Sequence, residues 1–63
     1  MTTYDEAMQQ AKSSAQRAHQ LDFAETLDLS LREAMHVRKI TTRRAIEMWE
    51  RFEYYCDILA ATK

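Results

Sequence analysis

The chain has 63 residues, a formal net charge of −1, and neither glycine nor proline. A chain of this length forms one domain at most, here residues 1–63, and it buries only about 60% of its unfolded surface, so a lone monomer is marginally stable. The small net charge excludes a general attraction to nucleic acid. Because the usual turn residues are missing and helix-forming residues dominate, the composition excludes a hairpin-rich fold and predicts an all-α domain.

The first predicted helix covers about residues 4–19. Thr3 and Glu6 have the spacing of a capping box at its start. Its apolar stripe is made mostly of small side chains, namely Tyr4, Ala7, Met8, Ala11, Ala15 and Ala18. Such a face buries little area per residue but lets another helix approach closely. We therefore expect this helix to be the least stable of the three.

A helix break is predicted near residues 19–22. If the first helix continued, Asp22 would fall on its apolar stripe, where burying a carboxylate is costly. Asp22 and Glu25 also have the spacing of a second capping box. Because neither glycine nor proline enforces the break, one long bent helix is the alternative.

The second predicted helix covers about residues 23–39. Its apolar face is formed by Phe23, Ala24, Leu27, Leu31, Ala34 and Met35. Asp28 and Arg32 have the i,i+4 spacing of an ion pair outside that face. Arg38 and Lys39 are expected in the last turn, where cations favour the helix dipole.

The third predicted helix covers about residues 42–61 and is the most periodic and most aromatic part of the chain. Its stripe is expected to place Trp49, Phe52 and Tyr55 in the core. Thr41 or Thr42 is expected to cap its start, and ion pairs are expected between Arg43 and Glu47 and between Glu47 and Arg51. The short connection at residues 40–42 predicts that helices two and three are antiparallel neighbours. The expected fold is a small bundle of three helices centred on this antiparallel helix pair.

Five apolar residues lie off these stripes: Leu29, Val37, Ile46, Tyr54 and Ile58. Tyr54 and Ile58 are one helical turn apart and form a contiguous patch bordered by Glu53 and Asp57, which is the polar rim expected of an interface. We therefore predict self-association, preferably as a homodimer, with Tyr54, Ile58 and Ile46 at the interface.

A basic cluster, Arg38, Lys39, Arg43 and Arg44, surrounds the turn between helices two and three. Residues 1–37 carry a net charge of −3, and residues 38–63 carry +2. Arg43 and Arg44 oppose the positive end of the third helix, and this unfavourable placement indicates contact with an acidic partner or with phosphates. A DNA-binding transcriptional accessory is therefore an alternative function, although the acids of residues 42–61 would repel phosphates. A solvated basic corner is the other interpretation.

The remaining chemistry is sparse. His19, His36 and Cys56 lie on three different predicted helices and in no metal-ligand spacing. Cys56 could be drawn with a histidine as nucleophile and base, but a buried thiol in a reducing cytoplasm fits its place on the apolar stripe better. There is no glycine-rich phosphate loop and no apolar run long enough to span a membrane. We expect a cytoplasmic protein that is not an enzyme, with no catalytic residue, metal or cofactor.

The chain resembles short early-region proteins of lambdoid bacteriophages at both ends. The stretches that carry the resemblance are the opening MTTYDEAMQQAKSSAQRAHQ and the tail ITTRRAIEMWERFEYYCDILAATK. The resemblance implies a non-enzymatic accessory protein that is made early in infection and acts in the host cytoplasm. Such a protein would act by binding a host or phage protein. A small helical, self-associating regulator is therefore the preferred function, and a purely structural assembly unit is a further alternative.

Overall fold

The computed structural model describes residues 2–62, and within that range it consists of three α-helices and no strand. The helices are α1 (Tyr4–Arg17), α2 (Leu21–His36) and α3 (Thr42–Ala61). The predicted three-helix bundle is confirmed. The break between the first two helices is also confirmed, so the alternative of one long bent helix is wrong.

Threonine side chains cap two of the three helix starts. The Thr3 hydroxyl accepts the Glu6 N–H at 3.2 Å, as the capping box predicts. The Glu6 carboxylate accepts from the Thr3 hydroxyl and not from the Thr3 backbone N–H that a full capping box uses. Thr41 accepts the Arg44 N–H at 3.1 Å and is the cap of α3. The capping box predicted for α2 is wrong, because α2 begins one residue before Asp22. The Asp22 carboxylate is exposed in the first turn, where it favours the helix dipole.

The second residue of each connection is in the left-handed region, His19 at φ 59° and Arg38 at φ 61°. After α1, the Gln20 N–H donates to the Ala15 carbonyl at 2.7 Å. After α2, the Lys39 N–H donates to the Ala34 carbonyl at 2.8 Å. These are Schellman bonds, and they end each helix without the glycine that usually stands there.

The end of α2 corrects the placement of two basic residues. The helix ends at His36, so Arg38 and Lys39 lie in the following turn and not in the last helical turn, where they were predicted. The Schellman bonds already satisfy carbonyls at this helix end. Both cations still lie beside the carbonyl end of α2, where a positive charge is favourable.

The helices run up, down and up. Tyr4, the first residue of α1, meets Trp49 in the first half of α3 edge to face, with ring centroids 6.4 Å apart. Arg17 pairs with Asp57 at 3.2 Å near their ends, so α1 and α3 are parallel. The connection from α1 to α2 is three residues long, and Arg32 of α2 lies 3.6 Å from Asp5 near the start of α1, so α2 runs antiparallel to both.

The closest helix pair is α1 and α3, and the prediction that α2 and α3 form the centre is wrong. The buried face of α1 consists of Ala7, Met8, Ala11, Ser14 and Ala15. Because most of these side chains are small, the backbone of α1 approaches α3 closely. The buried face of α3 consists of Ala45, Trp49, Phe52 and Cys56. Helix α2 buries only Ala24 and Leu31, and its larger partly buried side chains keep its backbone farther from α3.

Helix α1 is joined to α2 by a polar cluster around Asp28. The Tyr4 hydroxyl donates to Asp28 Oδ1 at 2.6 Å, and Arg32 Nε donates to the same oxygen at 3.0 Å. Lys12 Nζ lies 3.8 Å from Asp28 Oδ2. The Arg32 guanidinium also lies 5.1 Å from the centroid of the Tyr4 ring. The predicted Asp28–Arg32 pair is therefore confirmed as part of a larger cluster.

Candidate protein interaction surface

Four large apolar side chains form an exposed surface near the ends of α1 and α3, which we call the aromatic face. Its members are Phe23 at 58% exposed, Tyr54 at 68%, Tyr55 at 55% and Ile58 at 46%. Tyr54 and Ile58 are exposed, as their predicted place outside the main stripe requires. The prediction that Tyr55 lies in the core is wrong. Phe23 was predicted on the apolar face of the second helix, but its side chain is more than half exposed.

The other off-stripe residues do not join this surface. Ile46 is partly buried against the core, so it offers less to a partner than the sequence suggested. Leu29 and Val37 are exposed on α2 and just after it. Single exposed apolar residues of this kind are common on protein surfaces.

A groove of about 390 Å³ opens between α2 and α3 within the aromatic face. Its lining residues are Gln20, Phe23, Arg51, Phe52 and Tyr55. The Phe23 and Phe52 rings stack 5.5 Å apart at 28° and form one wall. A mostly apolar groove with a few polar groups is the usual composition of a binding site. The groove was not foreseen because Tyr55 was assigned to the core and Phe23 to the apolar face of the second helix.

The monomer is slightly more open than the average folded chain of its size. Its accessible surface is 4698 Å², against about 4,250 Å² expected for a folded chain of this mass. Its radius of gyration is 11.5 Å, against about 10.6 Å expected for this length. At ~200 Å² for a large side chain, the aromatic face exposes roughly 450 Å² of largely apolar surface. That is in the size range of the largest patch on a monomer, which is often functional.

The basic corner, Arg38, Lys39, Arg43 and Arg44, lies at the other end of α3, and all four residues are exposed. Arg44 pairs with Glu47 at 3.2 Å. This pair replaces the predicted Arg43–Glu47 and Glu47–Arg51 pairs, neither of which forms. Within residues 2–62, the other three cations of the corner form no ion pair.

The first turn of α3 contains no acidic residue. The free N–H groups there and the basic corner therefore act in the same direction and favour an anion. The corner and the aromatic face are at opposite ends of α3, so both surfaces could be occupied at once.

The thiol of Cys56 is buried in the core. Burial, and to a smaller extent the negative charge of Asp57, raise the pKa of this thiol. A raised pKa disfavours the thiolate, which is the nucleophilic form. The cysteine–histidine pairing therefore gains no support.

The part of the chain that the structure describes offers neither a metal-binding cluster nor a membrane-spanning helix. Among residues 2–62, no three histidine, cysteine, aspartate or glutamate side chains are grouped so that they could hold a metal ion. None of the described helices combines the length and the apolar character needed to cross a membrane. The aromatic face and the basic corner are thus the surfaces from which a function can be inferred. No known protein family, curated protein or solved structure matches this chain.

Proposed function

We propose that the protein is a small helical interaction module that pairs with a second copy of itself through the aromatic face. This proposal rests on four large apolar side chains that remain about half exposed or more on one surface of a domain too small to cover them. Pairing is a common way for a short chain to bury more apolar area. A two-fold dimer is the commonest arrangement of two identical chains.

We further propose that the basic corner binds an acidic segment of another protein. Arg38, Lys39 and Arg43 are exposed and unpaired within the described residues, and the start of α3 adds its own positive potential. Pairing through the aromatic face would leave this corner free on both subunits. The dimer would therefore present two equivalent basic sites, and bivalent attachment strengthens binding when both sites are engaged.

The biological role that fits these surfaces is that of an early accessory regulator of a bacteriophage, acting on a host or phage protein. The likeness to short early-region phage proteins supports this role, as does a surface suited to binding. A DNA-binding accessory is the second candidate, because the three unpaired cations flank one turn. The carboxylates of Glu47, Glu50 and Glu53 on α3 oppose that candidate.

Self-association is tested with a matched pair of variants. Ile58→Glu puts a carboxylate into the aromatic face, where burying it unpaired is costly. Leu29→Glu makes the same kind of change at a residue that is 71% exposed on α2, outside the face. In sedimentation experiments, Ile58→Glu should shift the mass towards the monomer, and Leu29→Glu should match the parent. Equal masses for all three proteins would contradict the proposed face.

The basic corner is tested with variants that change the net charge equally. Arg38→Gln with Arg43→Gln removes two positive charges at the corner. Gln9→Glu with Gln10→Glu adds two negative charges on the exposed side of α1. In pull-downs from a bacterial lysate, only the corner variant should lose the proteins that the parent retains. If random duplex DNA at low salt binds the parent and is released steeply as salt rises, the DNA-binding candidate is favoured instead.

A further inference from the structure

The aromatic face contains both a projecting side chain and a groove, side by side. Tyr54 projects from α3 as the most exposed aromatic residue among those described. The groove of Gln20, Phe23, Arg51, Phe52 and Tyr55 lies beside it. Arg51 belongs to both regions, because it also lines a shallower depression with Glu47, Glu50 and Tyr54.

The aromatic face carries charges of both signs beside the groove and beside Tyr54. The groove has a guanidinium at its rim, that of Arg51. Tyr54 has the carboxylate of Glu50 one turn before it on the same side of α3. Neither Glu50 nor Arg51 forms an ion pair within residues 2–62. Both charges are therefore free for a partner.

We infer that the groove holds Tyr54 of a second copy of this chain, in a two-fold dimer in which the α3 helices cross antiparallel. This inference rests on the proposed self-association and specifies its geometry. A two-fold axis uses the same patch on both subunits, so the patch must carry both the projection and its receptor. The aromatic face meets that requirement, because Tyr54 of each copy can enter the groove of the other.

The spacing along α3 sets the register of the pair. Glu47, Arg51, Tyr54 and Ile58 recur at intervals of four, three and four residues and so form one stripe on the helix. An axis passing between Arg51 and Tyr54 sets Arg51 of one copy opposite Tyr54 of the other. Glu50 of the second copy lies four residues, or ~6 Å along the helix axis, from Tyr54 of that copy, and therefore about the same distance from Arg51 of the first copy. That distance is within the reach of an arginine side chain, so the dimer contains two Arg51–Glu50 pairs between subunits.

The area is also adequate for a second copy. A stable interface buries about 800 Å² on each partner. The aromatic face supplies roughly half of this at ~200 Å² for each large side chain. The polar side chains around it, including Gln20, Glu47, Glu50 and Arg51, can supply the remainder as a rim.

Charge exchange gives a test that depends on the two-fold geometry. In Arg51→Glu homodimers, two carboxylates face each other at both inter-subunit pairs, and in Glu50→Arg homodimers two guanidinium groups do so. Each variant alone should dimerise at least about 10-fold more weakly than the parent, which corresponds to about 1.4 kcal/mol. Mixed in equal amounts, the two variants should form a heterodimer, because every pair is then between opposite charges. Native mass spectrometry distinguishes this heterodimer from either homodimer, and circular dichroism checks that each variant is folded.

The control and the contrary outcomes separate this inference from the proposed function. Glu33→Arg reverses a charge on an exposed residue of α2 and should dimerise like the parent. If the parent dimerises but the mixed variants show no preference for the heterodimer, this geometry is wrong and self-association stands. A parent that stays monomeric overturns both the geometry and the proposed self-association.

Discussion

Tyr4 is the residue that joins all three helices. It donates a hydrogen bond to Asp28 of α2 at 2.6 Å, and its ring packs edge to face with the Trp49 ring of α3. Burial, followed by the hydrogen bond to Asp28, raises the pKa of the Tyr4 hydroxyl to about 12, and the nearby Trp49 indole and Arg32 charge only partly offset this. The protonated phenol is therefore the form that the folded state favours.

This pKa predicts a loss of stability in alkali. A group whose pKa is raised on folding contributes its full stability below the unfolded pKa of about 10, and this contribution is lost as the pH rises towards 12. Urea unfolding followed by circular dichroism between about pH 8 and 11 should show this loss in the parent. Tyr4→Phe should cost about 1.5 kcal/mol at neutral pH and show a flatter decline. Parallel declines for the two proteins would show that Tyr4 is not the group responsible.

Trp49 and Phe23 make a matched test of which aromatic residues are in the core. Trp49 is fully buried, and its Nε1 has no hydrogen-bond partner among the described residues. Trp49→Ala should cost about 3–5 kcal/mol and leave so small a domain largely unfolded at 25 °C. Phe23→Ala, at a half-exposed site, should cost much less in a dilute, monomeric sample. Similar thermal melts for the two variants would contradict the core described here.

At the level of elements, the helix ends explain how a chain without glycine makes two tight connections. His19 and Arg38 adopt the left-handed conformation, which costs a residue with a Cβ about 1–2 kcal/mol. The Schellman hydrogen bonds offset that cost by satisfying the last carbonyls of α1 and α2. The sequence indicated where these connections occur, but it gave no sign of which residue would take the positive φ.

Glycine at these two positions should therefore stabilise the fold. His19→Gly and Arg38→Gly should each raise the free energy of unfolding by about 0.5–1 kcal/mol, because relief of the left-handed strain exceeds the entropy added to the unfolded chain. His19→Ala and Arg38→Ala are the controls and should give no such gain. Chemical denaturation measures all four, and a loss of stability in both glycine variants would count against the assigned conformation.

The close approach of α1 to α3 depends on the small side chains of α1. Ala11 is fully buried at this contact, whereas the neighbouring Gln10 is exposed. Ala11→Leu should separate the two helices and cost about 1–3 kcal/mol through overpacking. Gln10→Leu adds a similar side chain to the outside and should change the free energy of unfolding by less than about 0.5 kcal/mol. An Ala11→Leu protein as stable as the parent would show that the contact is looser than described.

At the level of the whole molecule, periodicity predicted most of the fold, because the apolar stripes of α1 and α3 both became buried faces. It failed where tertiary packing decides between neighbouring positions on a helix. Tyr55 and Phe52 share one sequence stripe, yet Phe52 is buried against the stacked Phe23 ring, whereas Tyr55 stays 55% exposed at the groove. Which two helices form the central pair also depended on how closely their backbones approach. The small residues of α1 determine that distance, and the amount of apolar area on each helix does not. Of the candidate surfaces, the basic corner and Tyr54 with Ile58 were visible in the sequence, and the groove beside them was not.

We propose that a second copy of this chain covers the exposed aromatic face of this small domain. Sedimentation equilibrium of the parent protein from about 1 to about 100 µM tests it most directly, since that range brackets a micromolar dissociation constant. We predict that the average mass rises with concentration towards twice the chain mass. A constant mass equal to one chain across the whole range, in a sample that melts cooperatively, would contradict the claim.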